Sequence, residues 1–272
     1  MSPPDEPLRA HIEALIRAGT VRGELAAAQL EAEIQRREEA LRQTFRRYVS
    51  PRVADRILGG LQLRDTLVST ADLRAHAVVL FADLRGFTSI SEQLDPHRVV
   101  PLLNEYFSLL TEISFRHEGT VFHMAGDCLM LGFGVPLEQP DSPQRAVRAA
   151  REMLASFAEL AHSWKERYQV EAGLGIGMSE GDVVAANIGS SSYMSYTIIG
   201  DTVNVAARLC QQARAGEMLF SSALKRSLDA RGVDVGATPL PPLQLRGRTH
   251  PIDIYCVARE TRIDMSPEPV AA

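Results

Sequence analysis

An α+β fold is predicted by three features of the chain: a buried apolar strand, a helix–hairpin–helix succession after it, and short strands in the C-terminal part. His76–Ala82 is a near-continuous apolar run with β-branched residues, the pattern of a strand covered on both faces. Asp95-Pro96 reads as an N-cap followed by proline in the first turn of a helix. Val99, Leu102, Leu103, Tyr106, Phe107, Leu110 and Ile113 keep one apolar face to about His117, and Gly119 is expected to end the helix. Residues 120–133 read as two strands joined by a tight turn near Gly126-Asp127. After a loop from Pro136 to Pro143, Ser142-Pro143 opens a second long helix, with Ala146, Ala150, Met153, Phe157, Leu160 and Trp164 at helical spacing. Strands are predicted near 170–178 and 182–188, then a polar loop over 190–195 and a helix from about Asp201 to Gln212. A strand near 217–221, a short helix near 222–229 and closing strands near 243–246 and 252–258 complete the pattern. The order β-α-β-β-α-β with additions predicts two helices against one face of an antiparallel sheet, a ferredoxin-like core.

Upstream, residues 1–58 are expected to be a helical region, 59–75 a connector opening on Gly59-Gly60, 76–260 the domain, and 261–272 a disordered tail. Within the first, residues 23–48 read as a helix whose Leu30, Ile34, Leu41, Phe45 and Tyr48 make one stripe, interrupted at Arg37 and stopped by Pro51. That stripe suits either packing on its own domain or a short two-stranded coiled coil leading into a dimer. The 272 residues carry a formal charge of −5, which gives no basic face for a nucleic-acid polymer. Three cysteines (Cys128, Cys210, Cys256) without ligand-like spacing argue for a reducing compartment. With no apolar run of membrane length and no secretory start, a cytoplasmic location is expected.

Four segments carry candidate chemistry. Asp83 ends the first strand in Phe81-Ala-Asp-Leu-Arg-Gly-Phe-Thr88, with Gly86 allowing a sharp turn behind it. Asp127 lies in His123-Met-Ala-Gly-Asp-Cys-Leu-Met130. Either aspartate alone is ordinary turn chemistry, but a pair on adjacent strand ends can hold divalent cations. In Gly200-Asp-Thr-Val-Asn-Val-Ala-Ala-Arg208, Asn204 and Arg208 stand four apart on one helix face, an amide and a guanidinium suited to ribose and phosphate. Leu245-Arg-Gly-Arg248 offers two more cations. Glycines 173, 175 and 177 fit a strand approached closely by another backbone or by a ligand.

Together, in this order, the four segments resemble the catalytic domain of class III adenylate and guanylate cyclases, over about residues 76–258. The resemblance implies two Mg²⁺ or Mn²⁺ ions on Asp83, Asp127 and the Leu84 carbonyl, activating a ribose 3′-hydroxyl and supporting the leaving pyrophosphate. It implies that Arg208 stabilises the transition state, that Asn204 positions the ribose, and that both come from the second subunit of a head-to-tail homodimer. Arg246 stands where the family often has a lysine for the terminal phosphates, and Arg85 is a further candidate for phosphate. His123 occupies the place of the family's base-reading lysine, with Thr197 its partner. Neutral histidine can donate or accept and a hydroxyl rotates to suit, so this pair fits either purine. With no acidic group to receive guanine N1–H, ATP is the favoured substrate; a guanylate or mixed-purine cyclase, or a non-catalytic nucleotide-binding module, are the alternatives.

Overall fold

The computed structural model describes residues 73–190, 193–244 and 251–258, and in the N-terminal region residues 10, 13, 29–36 and 39. Residues 29–36 are helical, inside the stretch expected to form the N-terminal helix. Most of that helix, most of the connector, Arg246 and the tail lie outside the described residues. Among the described residues, no helix is long and apolar enough to cross a membrane.

The elements are β1 (Leu73–Arg85), α1 (Phe87–Gln93), α2 (Pro96–Arg116), β2 (Thr120–Ala125), β3 (Cys128–Phe133), α3 (Ser142–Tyr168), β4 (Gly173–Ser190), β5 (Tyr193–Ile199), α4 (Asp201–Gln212), β6 (Glu217–Ser221), α5 (Ser222–Ala230), β7 (Thr238–Leu243) and β8 (Ile252–Ala258). Asp95 caps α2 as expected, its Oδ1 accepting the His97 N–H at 2.9 Å. The left-handed residue at the far end of α2 is Glu118 (φ 58°), with Gly119 one place later donating to the Ser114 carbonyl, so the stop is one residue earlier than glycine alone predicts.

The sheet order is β2-β3-β1-β4-β6-β8-β7, and β5 pairs with β4 outside that path. Neighbours among its first four strands are antiparallel, with β1 between β3 and β4, which is the ferredoxin-like arrangement read from the sequence. The expectation of a wholly antiparallel sheet is corrected by β6, which lies parallel to β4 because α4 provides the crossover between them. Residues 173–190 form one strand rather than two; β1 pairs with it through Gly181, opposite Ala77. The stretch read as a polar loop instead enters β5, which folds back on β4 with Tyr193 opposite Ser190. α1 was not anticipated. Thr238–Leu243 forms a strand that three prolines and a register shift mark as an edge strand, while residues 245 and 246 of the strand expected at 243–246 lie outside the described residues.

Alternation along β1 feeds two cores. Val78, Leu80, Ala82 and Leu84 face α2 and α3, packing with Leu102, Tyr106, Leu110, Met153 and Phe157. Ala77 and Val79 face the other way, toward Phe122, Met130, Val183, Ile198 and Ala206 of α4. Helices therefore cover both faces of the sheet. Each fully buried Leu or Phe contributes about 1.5–3 kcal/mol relative to exposure. The α2–α3 contact also holds a polar device: buried Trp164 donates Nε1–H to Glu105 at 2.9 Å, and Arg167 caps the same carboxylate. The Arg167 hydrogen bond comes first among the causes that hold Glu105 below its ordinary carboxylate range. Its contribution to stability is therefore present above the ordinary value and lost as pH falls through the depressed one.

Candidate active site

The period of two that sends Ala77 and Val79 toward the α4 face sends Asp83 and Arg85 there as well. Asp83 lies opposite Cys128 on β3 and opposite Gly175 on β4. The turn between β2 and β3, with Gly126 left-handed at φ 59°, places Asp127 directly before Cys128. The two aspartates thus converge. The Asp127 carboxyl is raised first by burial and next by the charge of Asp83. Two carboxylates drawn partly out of water repel one another unless a cation lies between them, so the donor set fits hard divalent ions. Burial and the same two aspartates push the Cys128 thiol up to about 12, and burial does the same for Cys210. Adding Mn²⁺ alone is therefore expected to raise the melting temperature of the wild-type chain, and to do so much less in Asp83→Asn, as calorimetry would read.

Arg85 is turned into the domain. Its Nε–H donates to the Ala213 carbonyl at 2.8 Å, one Nη donates to Asp83, and the other Nη donates to the Cys210 carbonyl. A Cβ on Gly175 would come within 2.6 Å of that guanidinium, and one on Gly177 within 2.0 Å of the Cys210 backbone nitrogen. With Gly173, where an added Cβ would run into Ala215, these are the three close-approach positions expected from the sequence: Gly175 seats an arginine and Gly177 a helix backbone. What sequence reading missed is the seat itself, Gly175 with the Cys210 and Ala213 carbonyls. The one available signal was the two-residue spacing of Asp83 and Arg85, which puts an acid and a base on one strand face.

α4 packs Ala206 against the Val79 cluster, and Val205, Leu209 and Ala213 against Leu219 and Ile254. At 100° per residue, Asn204 and Arg208 then stand on the opposite side of the helix, exposed and half-buried respectively. Within one chain they face away from the sheet surface that carries Asp83. His123 lies on β2 after a register shift between Val121 and His123, opposite Met130, and is exposed. Thr197 is half-buried on β5, between Tyr196 and Ile198, which turn toward the Phe122 cluster; alternation sends Thr197 to the other side. The Phe122 and Tyr196 rings, with centroids 5.9 Å apart, set these two strands side by side. Leu84 has its side chain buried between the sheet and the α2–α3 layer. Arg246 lies outside the described residues. A cleft of about 430 Å³ lined by Arg74, His76, Asp182 and Ile199 opens at the other end of β1, roughly 30 Å along the strand from Asp83.

A family model for the adenylate and guanylate cyclase catalytic domain matches residues 71–259. Adenylate cyclase 1 of Rhizobium meliloti is 29% identical over 191 residues, 70% of this chain and 28% of that protein. An uncharacterised Mycobacterium tuberculosis protein is 35% identical over 149 residues, 54% of this chain and 26% of its own length. The chain thus spans little more than a quarter of these relatives. Among solved structures, the adenylyl cyclase CyaB from P. aeruginosa superposes with a TM-score of 0.66 at 29% identity, covering 71% of this chain and 98% of that one. The guanylyl cyclase Cya2 superposes with a TM-score of 0.63 at 32% identity, covering 70% and 96%. With a family match over well beyond half of its length, on this fold, the chain belongs to the class III adenylate and guanylate cyclase catalytic domains.

Proposed function

We propose that the chain converts ATP to 3′,5′-cyclic AMP and pyrophosphate, acting as a head-to-tail homodimer with two shared sites. The observation that carries this reading is the division of the site residues. Asp83 and Asp127 converge on one face of the sheet, whereas Asn204 and Arg208 stand on the outward side of α4. A second copy, related by a two-fold axis, can bring its α4 to the first copy's acids, and the reverse contact then follows by symmetry.

Asp83 and Asp127, with the Leu84 carbonyl, would hold two Mg²⁺ or Mn²⁺ ions; such ions supply Lewis acidity to a ribose hydroxyl and neutralise phosphate charge. The chain's own groups do the rest. Arg208 aims fixed donors at the α-phosphate oxygens, where charge builds as the 3′-oxygen attacks, and it costs no reorganisation at that moment. Asn204 orients the ribose so that attack is in line. Arg246 is assigned to the terminal phosphates, and Arg85 to the acids rather than to phosphate, because its donors are engaged inside the domain. His123 and Thr197 read the base.

A guanylate or mixed-purine activity is the second reading, favoured by one observation: the base-reading position holds a histidine, which can accept as well as donate. A non-catalytic module is disfavoured, since the acids and the Asn204–Arg208 pair are all present. Turnover of ATP and GTP with Mn²⁺, in wild type and in His123→Lys, tests the assignment. ATP is the expected better substrate, and the lysine, able only to donate, is expected to raise the ATP/GTP ratio about tenfold, the size of one charge-assisted hydrogen bond. A wild-type preference for GTP would reverse the substrate assignment, and an unmoved ratio would remove His123 from base reading.

A further inference from the structure

We infer that Arg85 is a positioning residue that fastens the C-terminal end of α4 to the acidic pair, and through α4 couples the two sites of the dimer; the second half rests on the shared-site reading above. The Arg85 side chain is 24% exposed and its Asp83 partner 25%, so the contact is partly withdrawn from water. Its three acceptors come from two parts of the chain: the Asp83 carboxylate on β1, and the Cys210 and Ala213 carbonyls at the end of α4. Carbonyls in the last turn of a helix lack their usual N–H partner four residues on and sit at the negative end of the helix dipole, where a cation is favoured. The Ala213 N–H already closes this turn onto the Leu209 and Cys210 carbonyls, at 3.0 and 3.1 Å. A planar guanidinium can serve three acceptors spread round its edge; an ammonium of similar reach is a point charge and cannot span them. Gly175 is part of the arrangement, because a Cβ there would meet Nη2, Nε and Cζ at 2.6, 2.7 and 2.9 Å.

The consequence follows from what else α4 carries. Asn204 and Arg208 lie on its outward side and serve the partner's acids. One guanidinium therefore touches an acid of one site and the end of the helix that delivers the cation of the other. A group that draws Asp83 away from Arg85 changes how firmly α4 is held, and the second site registers it.

The test uses the full chain and two readouts. Amide exchange without metal or nucleotide reports the hold on α4. Arg85→Lys is expected to speed exchange of the Ala213 amide about tenfold, while the buried α2–α3 amides stay unchanged. Mixed dimers report the coupling. Asp127→Ala paired with Arg208→Ala leaves one complete site, to which the Asp127→Ala protomer, its Asp83–Arg85 contact intact, contributes only its α4 side. Arg85→Lys added to that protomer is expected to lower turnover about tenfold. A phosphate-binding or purely local role would leave this combination untouched, and that result, or unchanged Ala213 exchange, overturns the inference. Absence of any activity in the parent mixture would instead sink the shared-site reading, with exchange still deciding the role of Arg85 in holding α4. Should Arg85→Lys not fold, Gly175→Ala, which keeps the guanidinium and denies its seat, carries both measurements.

Discussion

Asp83→Ala is expected to lower cyclase turnover by about a thousandfold, the largest single effect in this chain, because on the proposed assignment it leaves Asp127 alone to hold cations that need both carboxylates. Arg208→Ala is expected to cost a comparable factor, since on the same assignment it removes charge stabilisation that is realised only in the transition state. Each variant alone is dead for a different reason. Mixed in equal amounts, they are expected to recover at most roughly a quarter of wild-type activity, because half the dimers are mixed and each of those rebuilds one of two sites, with α4 lent by a protomer whose Arg85 lacks its Asp83 partner. The measurement is product formation across a titration of one variant into the other at saturating Mn²⁺ and ATP. A mixture as inactive as its components would show that acids and cation are supplied by one chain. The fold would stand, but the division of labour across α4 would be wrong.

Gly177→Ala is expected to be the most damaging conservative change outside the acidic pair. The added Cβ would lie 2.0 Å from the Cys210 nitrogen, 2.4 Å from the Ala206 carbonyl oxygen and 2.5 Å from the Cys210 Cα. All three are backbone atoms of α4, so no side-chain rotation relieves the clash and the helix must lift from the sheet. A loss of about 3 kcal/mol, or roughly 10 °C in melting temperature, is the expected scale. Turnover should fall further than stability does, because the displaced helix carries Asn204 and Arg208. Gly232→Ala is the informative comparison: Gly232 has a left-handed φ of 66° but nothing within 4 Å of an added Cβ. It should cost only the backbone strain, about 1 kcal/mol, with activity kept. Equal effects of the two changes on denaturant midpoint and turnover would show that α4 does not rest on Gly177.

Much of the scaffold was legible before the structure because it is local. The Asp95-Pro96 cap, the apolar stripe of α2 and the run 76–82 act through nearest neighbours and helical or strand period, and each appears where that period puts it. Two of the departures are cases where pairing overrides composition. Polar Tyr193–Ser195 becomes strand because β4 offers an antiparallel partner, and proline-rich Thr238–Leu243 becomes an edge strand on β8.

By itself the sequence determined the βαββαβ order, the acids at strand ends, and the side-by-side placing of Asn204 and Arg208, because helix and strand periods are properties of the chain's own backbone. Only the tertiary structure decided which groups meet. That Asp83 approaches Asp127 depends on the register of β1 against β3. That Arg85 turns inward depends on an absent Cβ on β4, 90 residues away. That Asn204 and Arg208 look away from their own chain's acids depends on which side of α4 buries against the sheet. Register, close approach and choice of buried face are set by packing between distant segments, and no local period encodes them.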